Sequence, residues 1–120
     1  MRRRIVTLFT ASLLLLSLVA LGSAQGQNIT LTGNIVDKAC SARAAKDPSA
    51  HKKNCALSEN CAKSGFGVYA DGKFYEFDDK GNELALAKLK ASTKEAGAKF
   101  KVEGMLHDTK LMVASISEVE

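Results

Sequence analysis

The chain of 120 residues has no tryptophan, two histidines and three cysteines, and no two cysteines form a Cys-x-x-Cys pair. That absence removes the usual basis for a disulfide oxidoreductase, and the lack of Cys-x-x-Cys-His removes covalent haem attachment. An odd number of cysteines also means that at least one pairs between chains, binds a metal or stays free. A Cys–His nucleophile needs a positioned pair and an oxyanion hole, and no motif here indicates one, so the chain reads as non-enzymatic. There are no internal repeats and no low-complexity tail. Basic excess is missing too, once the first residues are set aside. Of 17 basic residues against 13 acidic ones, three are Arg2, Arg3 and Arg4, which leaves 14 against 13. Nucleic-acid binding thereby loses its main electrostatic support.

Those three arginines begin a recognisable segment. An almost unbroken apolar run, Ile5 to Leu21, follows them, and then come the small and polar residues Gly22 to Gln27. This is the layout of a secretory signal peptide, with cleavage expected after Ala24. An uncleaved anchor is the competing reading, but the run sits at the short edge of the roughly 20 residues a span needs. No cysteine stands at the end of the run, which argues against a lipid-anchored precursor. Residues 1–24 are therefore expected to be removed and residues 25–120 to form one small exported domain, periplasmic or extracellular, with no membrane span. A core of that size is modest, so a single covalent or metal cross-link would matter. Export also permits disulfides.

Most of the mature chain carries β patterning. Ile29, Leu31 and Ile35 share one parity and Thr30, Thr32 and Asn34 the other, a period of two over Ile29 to Lys38. Gly33 interrupts this strand and predicts a bulge or bend, which would let one strand serve two sheets of a small closed barrel. Asn28-Ile29-Thr30 matches a glycosylation acceptor, a triplet common by chance. Phe66 to Ala70 and Lys73 to Phe77 flank Asp71-Gly72, a strong two-residue hairpin signal. Glu83 to Ala91 predicts a short helix capped by Asn82. Lys99 to His107 alternates again, Asp108-Thr109 is a turn, and Leu111 to Ile116 is a buried final strand. The expected fold is mainly β with short α. Strand, insert, hairpin, helix and two strands is the order of a five-stranded OB-fold-like barrel, the oligonucleotide/oligosaccharide-binding architecture.

The insert, residues 39–65, holds all three cysteines and His51. Asp47-Pro48 has the form of a helix start and Gly65 of a helix stop, predicting one helix with a break near Lys53-Asn54. On a continuous helix Cys55 and Cys61 would lie ~9 Å apart along the axis and ~120° apart around it, too far for a disulfide. Cys40, at the end of the first strand, could reach either Cys55 or Cys61 and close a loop worth on the order of 3 kcal/mol. His51 and Cys55 would stack on one helical face. Cys40, His51, Cys55 and Cys61 are thus a candidate Cys3His set for zinc, or for copper with Met105 or Met112 in reserve. The competing reading is one structural disulfide, a leftover thiol (free or in a disulfide-linked dimer) and an exposed histidine. Tyr69 and Tyr75, in the hairpin, are the candidates for an exposed stacking face that takes a small molecule, glycan or protein, while Phe66, Phe74 and Phe77 are assigned to the core. His107 reads as a polar residue flanking a turn.

The run TGNIVDKAC, the spaced His-x3-Cys-x5-Cys and the continuation AKSGFGVYADGKFYEFDDKGNELALA together resemble an uncharacterised family of small exported bacterial OB-fold-like proteins. The resemblance covers nearly all of the mature chain and rests most specifically on Gly33, Asp37, Cys40, His51, Cys55, Cys61 and Gly65. It implies an OB-like barrel outside the cytoplasm and supplies no reaction. The leading expectation is an exported binding or structural module with its insert pinned by a disulfide, and the alternative is a metal-binding protein.

Overall fold

The computed structural model describes residues 26–120, and the expected leader and its cleavage site lie outside the described residues. Among the described residues no helix is long and apolar enough to cross a membrane. The fold is mainly β, with strands β1 (Gln27–Asp37), β2 (Phe66–Ala70), β3 (Lys73–Phe77), β4 (Lys99–His107) and β5 (Lys110–Val119). Short helices α1 (Ser41–Ala44), α2 (Lys53–Ala56) and α3 (Glu59–Lys63) occupy the insert, and α4 (Asp79–Ala91) separates β3 from β4. The hydrogen-bonded order is β1-β2-β3-β5-β4, and β4 returns to β1, so the sheet closes into a barrel.

Closure depends on β1 changing partner midway. Gln27 to Gly33 pair with β4, whereas Asn34 to Asp37 pair with β2. Gly33 sits at the change, where a Cβ would lie 1.7 Å from the carbonyl oxygen of Tyr69. Only glycine lets the two backbones cross that closely. At the hairpin, Asp71 and Gly72 both take positive φ, 51° and 76°, as a tight turn of this type requires.

The second closure is short. β3 and β5 run parallel over only two residue pairs, Glu76 with Lys110 and Phe77 with Leu111. Asp78 extends the seam. Its backbone N–H donates to the Leu111 carbonyl at 3.0 Å, and its Oδ1 accepts the N–H groups of Val113 at 3.1 Å and Gly81 at 2.9 Å. The same carboxylate caps α4, which therefore begins four residues before the expected start at Glu83. Asn82 instead accepts the Phe66 N–H through Oδ1 at 2.8 Å, tying the helix to β2. Gly81 has no room for a side chain, since a Cβ would meet Val113 Cγ2 at 2.5 Å.

The core fills from alternate strand positions, with Leu31, Ile35, Val68, Phe100, Val102 and Leu111 buried, and α4 closes it with Ala85 and Leu89. Phe66 and Phe77 are each 1% exposed, whereas Phe74 is only half-buried and packs at a tilt against Tyr69, ring centroids 5.2 Å apart. β5 extends beyond the expected Leu111 to Ile116, because Ser117, Glu118 and Val119 still pair with β4.

Candidate functional site

The insert begins and ends at one place because β1 and β2 are antiparallel neighbours. Asp37, the last residue of β1, pairs with Phe66, the first of β2. Lys38 N–H donates to the Gly65 carbonyl at 2.8 Å, and Ala39 N–H to Ser64 Oγ at 3.0 Å. Cys40, three residues after Asp37, is therefore brought against Cys61, four residues before Gly65. Their sulfurs are 4.0 Å apart, and both side chains are half-buried.

Asp37 is the centre of this cluster and is fully buried. A buried carboxylate is costly unless its oxygens are satisfied. One oxygen accepts the Cys40 N–H at 3.0 Å, capping the 3-10 turn Lys38–Cys40, and the other lies 2.7 Å from His51 Nε2. An ionised carboxylate only accepts, so Nε2 carries the hydrogen of that bond. Desolvation, followed by the nearby Asp37 carboxylate, pushes the Cys40 thiol up from 9.0 to about 12. Desolvation disfavours charge of either sign, whereas the Asp37 carboxylate beside the sulfur favours a positive charge there.

Oxygen and sulfur atoms of Asp37, Cys40 and Cys61 all lie within 4.8 Å of one another, a grouping able to hold a metal ion. Of the four residues read from sequence as candidate ligands, Cys40 and Cys61 meet directly. His51 reaches the cluster through Asp37, and Cys55 stays outside it, exposed on α2. The continuous helix that would have stacked His51 and Cys55 does not form. His51 and Lys52 are extended, because Lys52 bridges to Ala96 and Lys53 N–H donates to the Glu95 carbonyl at 2.8 Å. Ser58 is extended again before α3. Helical pieces of four or five residues have little stability of their own, so these tertiary bonds decide the path.

Asp37 as a cluster member is what ligand-type reasoning over Cys and His alone omits. Its signal was an Asp three residues before Cys40, the spacing of an N-capping side chain. No family model, curated protein or solved structure matches the chain. Function must therefore be argued from this cluster and its surroundings.

The stacking-face candidates separate. Tyr69 donates its hydroxyl hydrogen to the Ser41 carbonyl, which fastens α1 to β2. Tyr75 packs against the core beside Val68, with Lys73 Nζ 5.3 Å from its ring centre. Both are half-buried.

Proposed function

We propose that this chain is a small exported metal-binding module, non-enzymatic, in which an OB-like barrel holds one zinc ion on Cys40, Cys61 and Asp37. The OB-like assignment is supported by five strands in a closed order, a first strand shared between two partners and a helix between β3 and β4. Export is supported by the leader pattern in the sequence.

The observation that carries the metal reading is the 4.0 Å separation of the two sulfurs with a buried carboxylate beside them. Two thiolates on a tetrahedral zinc, each at ~2.3 Å, stand about 3.8 Å apart. A disulfide requires ~2.05 Å. Two sulfurs and one carboxylate oxygen suit zinc, with copper(I) the competing soft ion. His51, hydrogen-bonded to Asp37, has the place of an outer partner that orients a ligating carboxylate. Neither Tyr69 nor Tyr75 is needed for this reading.

Elemental analysis tests it on protein expressed from the full coding sequence and purified under reducing conditions without chelators. About one zinc per chain is expected, lost in Cys61→Ser and Asp37→Asn and kept in Cys55→Ser. Copper in place of zinc would change the metal and keep the site. Reduced protein that takes up neither ion, and that after removal of the reductant joins Cys40 to Cys61 and leaves only Cys55 titratable, would return the reading to a binding or structural module with a covalently pinned insert. Loss of metal in Cys55→Ser would refute the ligand assignment.

A further inference from the structure

The same two sulfurs that face each other across the cluster are also close enough to bond. From 4.0 Å they need approach by only about 2 Å to reach disulfide length. Cys40 is anchored by its backbone N–H on Asp37, which leaves its side chain free to turn. Cys61 rides on α3, a helix of five residues. Cys55 is exposed and outside the cluster, so it does not compete for either sulfur.

We infer that Cys40 and Cys61 form a redox gate, in which metal holding and disulfide closure are mutually exclusive states of one sulfur pair. The inference rests on the metal reading above and adds its regulation. In the closing step a low-molecular-weight disulfide such as oxidised glutathione is the oxidant. One cysteine thiolate attacks it, forming a mixed disulfide and expelling a glutathione thiolate. The second cysteine thiolate attacks the protein-bound sulfur, the Cys40–Cys61 bond forms, and a second glutathione thiolate leaves. Each leaving thiolate takes a proton from solvent, the protein pair loses two electrons, the oxidant gains them, and the metal ion departs because no thiolate remains to hold it. A reducing thiol reverses the sequence. The bonds of Asp37 to the Cys40 N–H and His51 use neither sulfur, so closing the disulfide does not itself require them to break.

The test uses the full-length-expressed protein carrying Cys55→Ser, reduced, loaded with zinc alone and then treated with oxidised glutathione. Released zinc is read with a chromogenic chelator, and the cross-linked Cys40–Cys61 peptide by mass spectrometry. Zinc release in step with cross-link formation is expected, with about one zinc freed for each Cys40–Cys61 cross-link formed. Zinc that stays bound as the cross-link forms, or zinc that is released without a Cys40–Cys61 cross-link, would overturn the gate and leave the metal site standing. Reduced protein that binds no zinc at the outset would overturn the metal reading, and the gate with it.

Discussion

Asp78 joins a helix start to a barrel seam through one oxygen, so its removal has a calculable cost. In Asp78→Ala the Gly81 N–H loses its cap, which costs about 1 kcal/mol. Val113 is 3% exposed, and its N–H, 3.1 Å from Asp78 Oδ1, loses its partner as well. An orphaned buried donor costs about 1–3 kcal/mol. The sum is roughly 2–4 kcal/mol. For a domain of this size each kcal/mol moves Tm by about 4–8 °C, so the expected drop is roughly 8–32 °C. Asp78→Asn keeps an acceptor oxygen at the same place and loses only the favourable charge at the helix N-terminus, ~0.3–1 kcal/mol. Thermal unfolding followed by circular dichroism compares the three proteins, and hydrogen exchange at the Val113 amide reads the seam directly. Equal Tm losses in the Ala and Asn variants, or unchanged Val113 exchange in the Ala variant, would refute the argument that this oxygen closes the seam.

Gly33→Ala is expected to cost about 4 kcal/mol or more, because a methyl 1.7 Å from the Tyr69 oxygen forces the crossing strands apart. Recovery of folded protein with near-native Tm would contradict it. Tyr69→Phe should cost about 1 kcal/mol and loosen the insert locally, seen as faster exchange of the α1 amides with β2 amides unchanged. In metal-free reduced protein, the raised Cys40 thiol means that the folded state keeps a proton the unfolded state releases. Stability from this group is therefore fully present below about pH 9 and is lost as pH rises towards about 12. Denaturant titrations across that window should show the decline in wild-type protein and a smaller one in Cys40→Ala.

Much of the barrel is legible in local patterning. Alternation marks β1 and β4, Asp71-Gly72 fixes the hairpin, and both Lys73–Phe77 and Lys99–His107 appear where the pattern puts them. The start of α4 was harder, because Asp78 and Asn82 are both good capping residues. Only the position of Val113 shows that Asp78 has a second donor to satisfy. Cys55 illustrates the opposite limit. Its four-residue spacing from His51 predicts a shared helical face, but the bonds of Lys52 and Lys53 to residues 95 and 96 pull the chain straight between them.

By itself, the sequence determined what depends on neighbours a few residues apart: the strand periods, the tight turn, the glycine at the bend, and an odd set of cysteines in one insert. Tertiary structure decided what depends on distant pairs. It set Cys61 rather than Cys55 opposite Cys40, because β1 and β2 bring the two ends of the insert together. It also made Asp37 the centre of the cluster, because burial turns an ordinary capping carboxylate into a charge that must be answered by His51, by the Cys40 N–H and, in our proposal, by a metal ion.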